Sequence, residues 1–388
     1  MSTLALMRTD HVGSLLRPSA LSEVRRCRDA GNCDADELRA AEDTAIAAAI
    51  TMQEAVGLHV ATDGEFRRLN FQDSFGSSVE GFAAGNGTLQ AMEEAAEGSK
   101  PLRRFEKKPD RGGPVVMSHR AGLHSRLQMV RNTPLEEFTF LQQLATVTPK
   151  ITLVGPDRIA QRVALESSTE IYADADELVA DVVAIEGEMV GQLVEAGCRY
   201  IQIDAPGYTA YVDEPSLAAM AARGEDPEET LARSIHADNQ LLDCFGDATS
   251  AIHLCRGNNR SMWHREGHYD AIAEQLFSSL GHERILLEYD SDRSGSFEPL
   301  RFVPKGKVVV LGLVSTKTPE LETVEQLTRR IDEASRYLPL EQLALSPQCG
   351  FASSAIGNVI SEVDQRRKLE VVVETAQAVW GDERAPEN

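Results

Sequence analysis

Cysteine is scarce in this 388-residue chain. There are six, Cys27, Cys33, Cys198, Cys244, Cys255 and Cys349, too irregularly spaced to form the disulfide framework of a small secreted domain. That pattern predicts free thiols and a reducing, cytoplasmic setting. Basic residues are outnumbered, 39 Lys and Arg against 61 Asp and Glu, for a net charge of −22. Such a balance argues against binding to nucleic-acid backbones or anionic membranes. No apolar run approaches the roughly 20 residues a membrane span needs. The opening MSTLALMRTD lacks the basic stretch and apolar core that mark a secretory signal. Neither a P-loop nor a G-x-G-x-x-G dinucleotide fingerprint occurs. With 42% hydrophobic and 26% charged residues, the composition is that of an ordinary globular enzyme.

Short apolar runs recur along the chain: DHVGSL (10–15), LHVATD (58–63), ITLVG (151–155), YIQID (200–204), SAIHLC (250–255), ILLEY (285–289), KVVVLGLV (307–314) and LALSP (343–347). They lack polar alternation, as strands buried on both faces do. Helical stretches such as 36–57 and 176–197 lie between them, each ending in a Gly just before the next run. Strands alternating with helices predict an α/β fold, a (β/α)8 TIM barrel in one domain over 1–380. Residues 66–149 are too many for one helix and are read as an insertion between strands 2 and 3. Within them, 82–101 is small, polar and Gly-rich and reads as a flexible loop, and 112–123 as a hairpin strand. The tail 381–388 is expected to be disordered.

Barrel enzymes place their chemistry at the C-terminal ends of the strands. Polar residues there include His11, Ser14, Asp63, Glu65, Asp204, His253, Cys255, Glu288, Asp290, Ser315 and Cys349. Residues i and i+2 of a strand project to one side, so His253 and Cys255 can grip one ion. With Glu288 and Cys349 they form an imidazole, carboxylate and two-thiolate set suited to Zn2+. A lone cysteine is as readily an inert core residue, but four such residues at the same structural position are not explained that way. Glu65 and Asp204 would hold a cationic group such as an amino acid's ammonium. HREGH (264–268) has the wrong spacing for a metalloprotease helix. Trp263 and the tyrosines of PGYTAYVDEP (206–215) read as packing or lid residues.

DHVGSLLRP (10–18), ATDGEFRR (61–68), IQIDAP (201–206), HLCRGN (253–258), LLEYD (286–290) and SPQCGFAS (346–353) resemble the cobalamin-independent methionine synthase family, in particular its catalytic C-terminal barrel and short single-barrel members. The resemblance implies a catalytic zinc on His253, Cys255, Glu288 and Cys349, with homocysteine held by Ser14, Glu65 and Asp204. Three features depart from the pattern. There is no room for a second, folate-holding barrel. The Q-x-D-E-P motif reads Gln202-Ile203-Asp204-Ala205-Pro206. Lys317 stands where full-length members have a proton-donating His.

The expected activity is therefore zinc-dependent S-methyl transfer to a thiol, homocysteine giving methionine, with His11 and Lys317 as candidate proton donors. The donor is left open between methylfolate, methylcobalamin on a corrinoid or other methyl-carrier protein, and a sulfonium compound. One alternative is a transferase resembling the epoxyalkane:coenzyme M enzymes, whose sulfonate would need Arg17, Arg67 or Arg256. Another is a metal-free barrel resembling uroporphyrinogen decarboxylase.

Overall fold

The computed structural model describes residues 7–82, 87–105 and 122–381. Its early elements are α1 (Ser19–Asp29), α2 (Ala35–Ala55), β1 (Val60–Ala61), α3 (Asp73–Gly76), β2 (Val79–Phe82), α4 (Leu89–Ala96), β3 (Leu123–Met129), α5 (Thr133–Leu144) and β4 (Thr148–Pro149). There follow β5 (Ile151–Val154), α6 (Pro156–Ala160), α7 (Ala175–Glu195), β6 (Tyr200–Asp204), α8 (Glu214–Ala222), α9 (Pro227–Gln240) and β7 (Thr249–Leu254). The chain ends with α10 (Ala273–Ser279), β8 (Arg284–Glu288), β9 (Val308–Val314), α11 (Val324–Ala334), β10 (Leu343–Pro347) and α12 (Glu362–Trp380).

Strands β5 to β10 form one parallel six-stranded sheet in sequence order. Beyond β10, the N-terminal segment continues it: Thr9 bridges Leu345 in parallel, and Asp10 N donates to Leu345 O at 3.0 Å. On the other side β1 pairs with β4, which runs straight into β5. The segments 13–15 and 62–64 meet through Leu15 N to Gly64 O (3.1 Å) and Thr62 Oγ1 to Gly13 O (2.7 Å). The fold is thus the TIM-barrel-like α/β arrangement anticipated from the strand–helix alternation. Residues 10–15 are not a regular strand, however. Gly13 takes φ 137°, which interrupts the extended backbone, and side-chain and isolated backbone bonds replace a ladder.

Helix α2 begins where Asp34 and Glu37 form a capping box, and the chain leaves it through Gly57 at φ 89°. Helix α7 is capped by Asp174 and followed by Gly197 at φ 97°. The 82–101 stretch departs from its reading as a flexible loop. Residues 89–96 form α4, capped by Thr88, and bury Leu89, Met92 and Ala96 on one face. Strand β3 pairs antiparallel with β2, but most of 112–123 lies outside the described residues, as does the tail after Gly381.

Cys27 and Cys33 also differ from expectation. The turn between α1 and α2 brings their Cα atoms to 5.3 Å and they are disulfide-bonded, leaving Cys198, Cys244, Cys255 and Cys349 free. No described helix is long and apolar enough to cross a membrane.

The period-2 alternation of the strands sorts residues into two environments. Ile201, Ile203, Ile252, Leu254, Ile285, Leu287, Val309 and Leu311 join the large core between sheet and helices. Tyr200, Ala251, Leu286, Val310 and Ala344 pack on one another in a smaller inner cluster. Beside that layer, Asp10 receives Lys150 Nζ at 2.8 Å, Arg284 at 3.4 Å and the Tyr200 hydroxyl. Continuing the inner phase along the strands leads from Tyr200 to Gln202 and Asp204, from Ala251 to His253 and Cys255, and from Leu286 to Glu288. Asp204, His253, Cys255 and Glu288 are therefore the last inner positions at the ends of their strands.

Candidate active site

A cavity of about 710 Å³ opens at these strand ends. Ser14, Glu65, Asp204, His253, Cys255 and Cys349 all line it. His253 and Cys255 come from the end of β7, and Cys349 follows β10, whose register shifts at Ser346/Pro347. Two glycines permit the close approach. A Cβ on Gly312 would sit 2.7 Å from the backbone of Gln348 and of Leu287, and one on Gly350 would sit 1.9 Å from Ser14 Oγ.

The ligand atoms of His253, Cys255 and Cys349 lie within 4.8 Å of one another, and all three residues are buried. The two sulfurs are 3.8 Å apart. Both ring nitrogens of His253 are buried without a standard hydrogen-bond partner. Burial would lower the His253 pKa, but Cys349, Asp204 and Glu288 together hold it above its ordinary value. The Cys255 contact and burial push the Cys349 thiol well up. One imidazole and two thiols facing a common point, with an orphaned nitrogen pair, fit a soft cation with an open coordination position.

Glu288, the fourth ligand expected from the sequence, is not among these three clustered residues. Its Oε2 accepts the Arg256 N–H at 2.6 Å, its Oε1 accepts Arg293 Nη2 at 3.1 Å, and Lys317 Nζ lies 3.8 Å from Oε1. The loop after β7 and the loop after β8 bring those donors to it, and the carboxylate is satisfied there.

Glu65 sits at φ 58°, an uncommon backbone for a side chain with a Cβ, at a cost of about 1–2 kcal/mol. Its Oε1 accepts Thr152 Oγ1 at 2.7 Å and its Oε2 is buried without a partner. Arg68 supports it, 3.5 Å from Glu65 Oε1 and 2.6 Å from Glu137 Oε2 on α5. Asp204 accepts Gln202 Nε2 at 2.7 Å, and burial raises its carboxyl to about 7, with His253 opposing and Glu65 adding. The cavity thus presents two carboxylates with spare acceptor capacity beside His253.

The expected proton donors lie elsewhere. His11 faces Gln53 of α2 and the Val60 backbone, and burial and Lys150 lower its pKa to about 4, which leaves it neutral. Neither His11 nor Lys317 lines the cavity. Asp290 binds Ser315 Oγ at 2.8 Å and Arg293 at 3.3 Å. The arginines considered for a sulfonate are also engaged. Arg17 donates to four carbonyls, including Glu65 O and Ala352 O. Arg67 pairs with Glu42 and Asp43, and Arg256 binds Gly267 O and stacks on Tyr269. Trp263 packs under Arg293, and Tyr208 and Tyr211 are buried against Asp238 and Ser234.

Arg158, Arg162 and Arg265 line the cavity and were not foreseen. The signal was present: PDRIAQR places two arginines four apart directly after the third strand, where barrel sites form.

The sequence profile of the cobalamin-independent synthase catalytic domain matches residues 7–101 and 129–371. The uncharacterized protein YxjH of Bacillus subtilis is 36% identical over 379 residues, covering 97% of this chain and 95% of its own. A methionine synthase of Saccharolobus solfataricus is 26% identical over 355 residues, covering 90% of each. In fold, a B12-independent methionine synthase from Shewanella sp. W3-18-1 superposes with a TM-score of 0.71 at 18% identity, covering 96% of this chain and 97% of that one. The profile spans most of the chain, and the chain belongs to the cobalamin-independent methionine synthase family, whose catalytic domain it carries.

Proposed function

We propose that this methyltransferase of the methionine-synthase kind is zinc-dependent and methylates the sulfur of homocysteine. The observation that carries the reading is the convergence of His253, Cys255 and Cys349 in one cavity with Glu65 and Asp204. A zinc ion held by those three residues would stabilise a substrate thiol as its thiolate, the nucleophile the transfer needs. Glu65 Oε2 and Asp204 accept the substrate ammonium, which fixes the amino acid end and leaves its sulfur to reach the thiols' side of the cavity. Ser14 Oγ, packed on Gly350, closes the same wall. In the reaction the acceptor S–H gives up its proton, a sulfur–carbon bond forms to the methyl group, and the donor departs with the bonding electron pair. Glu288 fixes the Arg256 backbone beside Cys255 and acts as a positioning residue for that ligand.

The test combines metal analysis with turnover. Purified protein should hold about one zinc per chain, and Cys255→Ser or Cys349→Ser should lose it while keeping the fold. Zinc-loaded protein should convert homocysteine to methionine with at least one donor from a panel of methylcobalamin, a sulfonium compound and methyltetrahydrofolate. Full zinc occupancy in both variants, or thiol loss only with propylene oxide and coenzyme M, would overturn the reading.

A further inference from the structure

The cavity wall is not uniformly acidic, although the chain carries a net charge of −22. Arg158 and Arg162 follow β5 in and just after α6, and Arg265 comes from the loop after β7. Arg265 is anchored on carbonyls, Nη1 to Pro206 O at 2.6 Å and to Gly207 O at 3.1 Å, and Nη2 to Gln161 Oε1 at 3.2 Å. The Nε atoms of Arg158 and Arg162 are buried without a partner. Among the described residues no ion pair joins any of the three to a carboxylate. Asp157, next to Arg158 in sequence, is hydrogen-bonded by Ser234, Tyr211 and Gln161.

These guanidiniums crowd one another. Burial lowers the pKa of all three; at Arg158 and Arg162 the neighbouring guanidiniums add to it, taking Arg162 to about 10, whereas Asp157 and Asp213 partly offset it at Arg265. Holding like charges together in a partly buried wall costs stability unless a counter-charge arrives. Their position relative to the thiols is also specific. Arg158 and Arg265 line the same cavity as Cys255, and Asp204 lines it with His253. The cavity that holds the ligand set therefore carries both acidic and basic side chains.

We propose that Arg158, Arg162 and Arg265 form an oxyanion site for the second substrate, the methyl donor, which carries at least two negative charges as a phosphate ester or paired carboxylates. This rests on the methyl-transfer reading for the word donor. The anion site itself rests only on the three arginines. The amino-acid acceptor is drawn to the acidic residues by its ammonium, so the basic residues are left to the other reactant. Planar guanidiniums suit such groups because they bind oxyanions in bidentate fashion.

The test is calorimetric titration of the zinc-loaded protein with pyrophosphate and, separately, glutarate, which distinguish the phosphate and dicarboxylate sources. The expected result is saturable binding of at least one of them, one per chain. It should weaken about tenfold or more in each of Arg158→Gln and Arg162→Gln, from the loss of a charged hydrogen bond. Both variants should melt no lower than wild type without the probe, because a repelled charge has gone. The probe should raise the melting temperature of wild type more than that of either variant. Absence of saturable binding for both probes, or equal binding in the variants, overturns the site. Displacement of the probe by homocysteine overturns its assignment to the donor. A chain that binds the probe through these arginines but holds no zinc would sink the methyl-transfer reading while leaving the anion site standing.

Discussion

Glu137→Gln tests how the acidic wall is supported. Arg68 lies between Glu137, which it contacts at 2.6, 3.0 and 3.1 Å, and Glu65 at 3.5 Å, and all three side chains are almost wholly buried. Burial pushes the Glu137 carboxyl up to about 7 and would lower Arg68, yet Glu137 and Glu65 hold Arg68 above its ordinary value. The two partners thus point different ways, and the short bidentate contacts decide for the ionised pair. Removing one partner of a buried pair costs about 3–5 kcal/mol. Arg68 keeps Thr152 O and Oγ1, each at 2.9 Å, so the lower end, about 3 kcal/mol, is expected. For 388 residues the unfolding entropy is about 0.8 kcal/mol per degree, so the melting temperature should fall by about 4 °C. Freed from Glu137, Arg68 turns to Glu65 and neutralises the charge meant for the substrate ammonium. Homocysteine affinity should then drop about tenfold with zinc content unchanged. Calorimetry reads both quantities, and a double-mutant cycle with Arg68→Gln should show strong non-additivity. Lost stability with unaltered homocysteine affinity would refute the coupling of Glu137 to the site through Arg68.

Asp204→Asn should weaken homocysteine by about one to two decades while zinc is retained, read by direct titration; unchanged affinity would remove Asp204 from the ammonium clamp. The Cys27–Cys33 disulfide closes a loop of six-residue separation, worth about 2 kcal/mol, so a reductant should lower the melting temperature by about 3 °C. The Cys27→Ala/Cys33→Ala variant should melt at that lower value with or without reductant. At Asp10, burial would raise the pKa, but Lys150 and Arg284 hold it below its ordinary value. Burial lowers Lys150 too, but its contacts at 2.8 Å to Asp10 and 2.7 Å to His11 O favour the charged form. Because the folded pKa is the lower one, this stabilisation is complete above about pH 4 and lost as pH falls through the folded value. Urea midpoints measured from pH 6 to pH 3 should drop in that window, and less so in Asp10→Asn.

What the sequence disclosed followed how local each signal is. Runs such as YIQID and LALSP became β6 and β10 with the same bounds because both faces of each are buried, so every residue carries the signal. The phase of His253 and Cys255 needed only the two-residue period of a strand. The helix α4 was hidden because Leu89, Met92 and Ala96 are too few to outweigh the small and polar residues around them. Their burial depends on α1, whose Asp29 accepts the Leu89 N–H at 2.8 Å. The Cys27–Cys33 pairing depended on the turn geometry between two helices, which composition does not report.

Other placements depend on which residues face one another across the barrel. Asp10 is drawn inward by Lys150 between β4 and β5, Tyr200 of β6 and Arg284 of β8, while the adjacent His11 faces Gln53 of α2. In a segment without a regular ladder, the sequence offered no phase to distinguish the two. Glu288 has the right phase for a ligand, and its carboxylate also takes the Arg256 N–H and Arg293, which come from loops with no periodicity to read. Arg158 and Arg162 show the converse. In a strongly acidic chain an arginine pair spaced by four looks like a solvated helix face. Only its place after β5, lining the cavity together with Arg265, makes it a wall of the cavity. Net charge describes the surface a partner meets from outside, whereas the sign of a buried wall is set by which loops converge there.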